Sequence, residues 1–271
     1  MKIPGAATLT SQEWLNSEHA QSSELVMQRR WSPDGPVVRE AGKVVWSTRS
    51  RVPGSDKIRQ EGMAVARRNV DEEGEPFMKG TRVVDLANVI AGPTIGGCMS
   101  RYGATVIKVD PAKPTYDGLV AVYMGVPINT SKKSLLVDIK QTDDGKEIMR
   151  KLVEWADVVV TNQVEAQHRK LGIDEASLKA INPHVIHCNF DGFGGPKWGP
   201  RSDAIGYDDL LQASYVLHHA LLAPRCSCRD FFHASLAYFL YADARFWCFR
   251  HALASWQDSG VAWKHPRNTH I

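Results

Sequence analysis

The sequence predicts an α/β fold, a parallel sheet with helices on both faces, from three observations. The stretch Thr81 to Asp110, TRVVDLANVIAGPTIGGCMSRYGATVIKVD, reads without interruption as strand, glycine turn, short helix and second strand. From Thr81 onward, β-branched apolar runs at 82–87, 104–109, 134–139, 157–161 and 184–190 are separated in several places by patterns of helical period. Strands alternating with helices call for a parallel sheet covered on both sides.

The first 79 residues contain no such unit. Ser11 to Arg30 is expected as a helix with Ser11 at its N-cap, Trp31 to Pro36 (WSPDGP) as turn chemistry, and Lys43 to Thr48 as a short strand. The charged segment Asp71 to Pro76, DEEGEP, is read as a linker, which makes 1–79 an N-terminal extension and 80–214 the α/β domain.

Within that domain Arg82 to Leu86 forms the first strand, Gly92-Pro93 breaks it, and Thr94 to Tyr102 carries residues small enough for a helix packed close to a sheet. Pro93 is expected at the first helical position, where its missing N–H costs nothing, and the N–H groups that follow, as far as Gly97, are expected to form an anion site. Gly103 stops the helix, and the next strand ends on Asp110, at the edge where open α/β sheets bind ligands. Asp143 to Trp155 places Ile148, Met149, Leu152 and Val153 on one face, with Thr142 or Asp143 as N-cap. Asp174 caps a helix over Glu175 to Ile181 that Asn182-Pro183 ends.

Composition excludes several classes. A formal charge of +3 on 271 residues, with no lysine/arginine block longer than a pair, disfavours nucleic acid. Neither a secretory signal nor an apolar run of membrane-spanning length occurs, so the reading is a soluble intracellular protein with no membrane partner. The 5 cysteines fit reduced thiols better than a disulfide framework.

Character changes after Ser214. The remaining 57 residues hold six of the ten histidines and five of the eight phenylalanines but no glutamate. The segment 215–271 is read as an atypical tail of different coding origin, with a helical cap as the alternative. Cys226-x-Cys228 with His218, His219 and His233 lacks the spacing of a structural zinc site, so no metal is expected.

Six ordered blocks carry a resemblance: VVDLANVIAGP, GATVIKVD, KKSLLVDIK (Lys132 to Lys140), ADVVVTN (Ala156 to Asn162), LGIDEASLKAINPHVIHCNFDGFG (Leu171 to Gly194) and GYDDLLQAS (Gly206 to Ser214). Together they resemble the family III coenzyme A transferases, the group of formyl-CoA transferase, carnitine CoA-transferase and the methylacyl-CoA racemases. The resemblance implies a Rossmann-like large domain, here truncated, that binds acyl-CoA and passes coenzyme A to a carboxylic acid through aspartyl intermediates. It also implies a homodimer completed by a second domain.

Carried over residue by residue, Asn88, Val89 and Ala91 fall in the strand-to-helix turn that lines the coenzyme, followed by Gly92 and Pro93. Asp110 matches the acid at the end of the second strand, Val137 and Asn162 match groove positions, and Lys170 matches a basic residue near the phosphates. Tyr207 belongs to the segment after the glycine loop. Three positions depart from the pattern: Ile90 replaces a glutamine of formyl-CoA transferase, Pro111 a basic residue, and Gln163 to Ala166 the usual aromatic and Pro-Gly. The nucleophilic aspartate, expected in a Gly-Asp motif near Ala237, is missing. Asp230 and Asp243 flank the place in other contexts, so the catalytic residue is unknown.

Two alternatives come from the residues alone. A dinucleotide-dependent oxidoreductase is suggested by Asp110 eighteen residues after Gly92, without the full GxGxxG. A non-catalytic truncated binding protein is suggested by the break after Ser214. The glycines of 92–103 also have a packing explanation, Lys132-Lys133 reads as a solvated pair, and Asp208-Asp209 as a capped helix start.

Overall fold

The computed structural model describes residues 5–42, 45–48, 74, 76–113, 125–139, 142–207, 210, 211 and 214. Their contacts separate two units, one within 1–46, 161–178 and 189–243, the other within 47–160 and 179–188.

The second unit is built around a five-stranded sheet. Its strands β3 (Arg82–Asp85), β4 (Thr105–Asp110), β5 (Lys133–Leu136), β6 (Val158–Thr161) and β7 (Ile186–Asn189) lie in the order β5-β4-β3-β6-β7. The pairings β3–β4, β3–β6 and β4–β5 are parallel. The α/β fold with its parallel sheet is therefore as expected, and each strand lies within two residues of its predicted bounds, except that β5 ends three residues early at Leu136. Consecutive residues Val83, Val84 and Asp85 are buried, as are all four of β6, so both faces of the central strands are covered. At the edge, β5 is largely exposed.

Helix α3 (Ala91–Arg101) crosses from β3 to β4, and α4 (Asp143–Trp155) packs on β3. Thr142 is the N-cap of α4, its Oγ1 accepting the Gly145 N–H at 3.0 Å. The buried stripe is Gly145, Met149 and Val153, spaced by one turn. Ile148, expected inside, is 39% exposed because a fourth apolar position widens the stripe past what the sheet covers. Gly103 ends α3 at φ +98, where an added Cβ would lie 2.3 Å from Pro76 Cβ, so both its conformation and its space require glycine. At the amino edge Arg82 holds Asp157 with Nε at 3.1 Å and Nη2 at 2.8 Å, tying β3 to β6.

The first unit begins with α1 (Ser11–Asn16) and α2 (Glu18–Ser22), followed by a hairpin of β1 (Val26–Arg30) and β2 (Val37–Ala41). The single helix expected over Ser11 to Arg30 is thus corrected. Thr10, not Ser11, is the N-cap, with Glu13 completing a capping box, and Ser17 caps a second helix by accepting the Ala20 N–H at 3.2 Å. Glu24 at φ +60 then turns the chain into β1. The turn at 31–36 is the hairpin loop as expected. The strand expected at Lys43 to Thr48 is instead β2, six residues earlier; 45–48 are irregular, and 43–44 lie outside the described residues.

This segment closes on residues 193–201. His19 Nδ1 accepts the Arg201 N–H at 3.2 Å, its ring meets Phe193 edge-on, and the Arg201 guanidinium lies 3.9 Å over Phe193. Helices α5 (Glu165–Leu171) and α6 (Glu175–Ile181) follow β6. Gly172 ends α5 in the left-handed conformation, and Asp174 accepts from Ser177 N–H at 3.2 Å as the expected cap of α6.

Candidate functional site

Chain order reverses between β3 and β6: β4 and β5 build outward on one side of β3, β6 and β7 on the other. Open α/β sheets bind ligands beyond the carboxyl ends of the strands at such a point. The turn leaving β3 there contains Asn88 and Val89, and α3 opens with Ala91, Gly92 and Pro93.

The turn is built tightly. Asp85 Oδ1 accepts the Ala87 N–H at 3.0 Å, and the Leu86 N–H continues the ladder to Val160 O at 2.9 Å. Val89 then takes φ +64, a conformation that costs a β-branched residue about 1–3 kcal/mol and persists only where its surroundings enforce it. Ile90 is the N-cap and supplies no side-chain acceptor.

Two expectations change here. Pro93 occupies the third helical position instead of the first, and the N–H after it, on Thr94, already donates to Ile90 O at 2.9 Å. Amides able to meet an anion therefore precede Pro93, at Ala91 and Gly92, and do not extend to Gly97. Gly96 and Gly97 serve packing. An added Cβ would lie 2.6 Å from Asp85 Oδ2 at Gly96 and 2.5 Å from Ile128 O at Gly97.

The strongest electrostatic feature went unassigned in the sequence reading. Asp85 is fully buried, and Lys132, expected in a solvated pair, has a side chain only 1% exposed with Nζ 2.6 Å from Asp85 Oδ2. Lys133 alone is exposed. Burial pushes the Asp85 carboxyl above the usual carboxylate range and the Lys132 ammonium below its own, while their attraction opposes both shifts. A visible signal existed: Asp85 is the single charge in the apolar run VVDLA, and a buried carboxylate needs a cation.

The other candidates are distributed by element. Asp110, the last residue of β4, accepts from Lys108 Nζ at 2.6 Å, so that carboxylate is already paired along its own strand. Val137 extends the β4–β5 ladder, its N–H donating to Asp110 O at 3.0 Å. Asn162 directly follows β6 and is half-buried. In the first unit Lys170 is exposed in the last turn of α5, and Tyr207 is 43% exposed. Asp208, Asp209, Asp230, Asp243, the Cys226 and Cys228 pair and the position near Ala237 lie outside the described residues. Among the described residues, no group of His, Cys, Asp or Glu is placed to hold a metal, and no helix is long and apolar enough to cross a membrane.

Known proteins fit this geometry. The family model described as CoA-transferase family III matches residues 78–226, more than half of the chain. The chain is 34% identical over 233 residues to the CoA-transferase/lyase DddD of Marinomonas sp., covering 79% of this chain and 28% of that protein. It is 37% identical over 153 residues to a succinate–glutarate CoA-transferase of Agrobacterium fabrum, covering 51% and 37%. Among solved structures, a CAIB/BAIF family protein from Brucella suis aligns at 29% identity with a TM-score of 0.50, over 68% of this chain and 50% of that one. The chain spans 28% and 37% of the length of the two curated relatives. The oxidoreductase alternative gains no support from these likenesses. With a parallel sheet that reverses at β3 and a family match running from 78 to 226, the chain belongs to CoA-transferase family III.

Proposed function

We propose that residues 80–214 bind coenzyme A and its thioesters, and that the reaction they serve is transfer of coenzyme A from an acyl-CoA to a carboxylic acid. The observation that carries this reading is the family match, which includes the strand, turn and helix that meet at the reversal of strand order. Asn88, Val89 and the first turn of α3 are proposed to line the coenzyme, with the Ala91 and Gly92 amides offered to an anionic oxygen. Val137, Asn162, Lys170 and Tyr207 are proposed as coenzyme contacts on the family resemblance, and Asp110 as an outer member of that set.

In the reaction that the resemblance implies, an aspartate carboxylate attacks the thioester carbonyl and coenzyme A leaves as thiolate, giving a mixed anhydride. The thiolate then attacks the aspartyl carbonyl, releasing the first acid and leaving an enzyme thioester for the second. No Gly-Asp motif follows Tyr207 where that carboxylate belongs. The proposal for this chain is accordingly binding without turnover.

Thermal melting with coenzyme A, acetyl-CoA and NAD tests the reading. A ligand at a hundred times its Kd stabilises by about 2.7 kcal/mol, a shift of roughly 5 °C or more. Coenzyme A and acetyl-CoA should raise the melting temperature and NAD should not. A response to NAD alone would favour an oxidoreductase, and no response to any of the three would remove the binding proposal.

A further inference from the structure

The turn assigned to the coenzyme is held from behind by one buried cation. Lys132 Nζ donates to Asp85 Oδ2 at 2.6 Å, to the Pro93 carbonyl at 2.6 Å and to Asn129 Oδ1 at 2.8 Å. Three acceptors match the three N–H groups of an ammonium, so its donors are all engaged. With its side chain 1% exposed, it has neither a donor nor a free face for a phosphate. Lys132 is thus unlike a surface lysine that meets a ligand. It joins three segments: β3 through Asp85, the first turn of α3 through Pro93, and the segment 125–132 through Asn129.

Pro93 is the link that matters for the site. It is the third residue of α3, and the four residues before it are Val89 at φ +64, the N-cap Ile90, and Ala91 and Gly92 with their first-turn amides. Fixing the Pro93 carbonyl fixes the direction in which those amides point. Asp85 anchors the other end of the same turn, since its second oxygen holds the Ala87 N–H. One ion pair therefore spans the turn from Ala87 to Pro93. Gly96 and Gly97 admit it, because side chains there would meet Asp85 Oδ2 and Ile128 O.

We propose that Lys132 is a positioning residue for coenzyme binding: it sets the Asn88–Pro93 turn through the Pro93 carbonyl without touching the ligand. The inference rests on the binding reading above. It requires that affinity for coenzyme A be lost when the tie to Pro93 is removed, even where the fold survives.

The experiment uses the full 271-residue chain. The double variant Asp85→Asn, Lys132→Met removes both charges together, keeps an oxygen for the Ala87 N–H, and fills the lysine's space with an apolar chain. Coenzyme A affinity by calorimetry and amide hydrogen exchange of the ligand-free protein are read side by side. The expected result is a cooperative melt, exchange at least tenfold faster over 87–95 with β4 peptides unchanged, and affinity at least tenfold weaker. A double variant that folds, binds coenzyme A like the unsubstituted chain and exchanges like it overturns the inference. Should the double variant fail to fold, Asn129→Ala removes one of the three acceptors alone. Faster exchange over 87–95 with affinity at least threefold weaker supports the role, and unchanged values overturn it. If the unsubstituted chain itself does not bind coenzyme A, the binding reading fails, and exchange over 87–95 alone decides whether Lys132 sets the turn.

Discussion

Gly96 lies directly over the carboxylate of Asp85: an added Cβ would stand 2.6 Å from Oδ2. In an exposed helix, alanine at such a position would gain up to about 1 kcal/mol over glycine. Here the contact is with a fully buried side chain already tied to Lys132, and overpacking of that kind costs about 1–3 kcal/mol. Gly96→Ala is therefore expected to destabilise in urea unfolding, and Gly96→Asp, which sets a second carboxylate against the first, to abolish the cooperative melt. A stabilised Gly96→Ala would show that α3 stands further from β3.

Two ion pairs of nearly equal length should differ sharply. Lys132–Asp85 spans 2.6 Å with side chains 1% and 0% exposed, whereas Arg82–Asp157 spans 2.8 Å at 44% and 42%. Asp85→Asn strands a buried ammonium, a loss of about 3–5 kcal/mol. Asp157→Asn should cost no more than about 1 kcal/mol, since water screens the exposed pair. Equal losses in urea titrations would contradict the burial described for Asp85.

Acid should loosen the closure of the first unit. Burial first, and then the nearby Arg201 charge, hold His19 below the ordinary histidine pKa, and a second proton would have to occupy Nδ1, which accepts the Arg201 N–H. Burial lowers His168 likewise. The unfolded chain then takes up protons first, so stability is complete above the ordinary histidine value near 6.5 and falls as pH drops below it. His19→Gln keeps an acceptor for Arg201 without titrating. Its melting temperature should decline less between pH 7 and 5 than that of the unsubstituted chain, and an identical decline would exclude His19 as a source.

Lys170→Glu tests the proposed phosphate contact. Lys170 is exposed on α5, so its contribution should be screened at the ~10 Å Debye length of 0.1 M salt. Coenzyme A affinity should fall at low salt and converge with the unsubstituted chain as salt is added. A loss independent of salt would assign Lys170 another role.

Turnover should be undetectable. Without a Gly-Asp motif after Tyr207, the 271-residue chain has no carboxylate in the family context for the acyl intermediate. It is expected to move no coenzyme A between succinate, formate or oxalate, and hydroxylamine should trap no acyl-enzyme. Activity abolished by Asp230→Asn or Asp243→Asn would make the tail a replacement catalytic segment.

The α/β domain was largely legible because buried parallel strands leave continuous apolar runs, as at Val158 to Val160, and because Thr142 and Asp174 mark helix starts by their side chains. The N-terminal segment was not: Trp14, Leu15, Leu25 and Val26 suit a helical period, Ser17 was the one visible mark of the break, and the left-handed turn at Glu24 leaves no mark in the residue type. In the site, the turn at Asn88 to Pro93 was visible from its glycine and proline. Lys132 was not, because its partner Asp85 lies 47 residues away and adjacent lysines look alike until the sheet assigns one inside and one out.

The bond between Arg201 N–H and His19 Nδ1 joins residues 182 positions apart, with the whole of β3 to β6 between them. On a ribosome moving at 5–20 residues per second, His19 waits roughly 10–40 s for Arg201 to be made. During that interval α1 and α2 are held by local partners, the cluster of Trp14, Ala20 and Val26 with Leu9, Leu15 and Leu25, and the bond from Arg39 to Asn16. The sheet, with its shorter-range pairings, has time to form first. The order of synthesis thus makes the bond between His19 and Arg201 a late one in the first unit, formed after the α1–α2 segment has long been made.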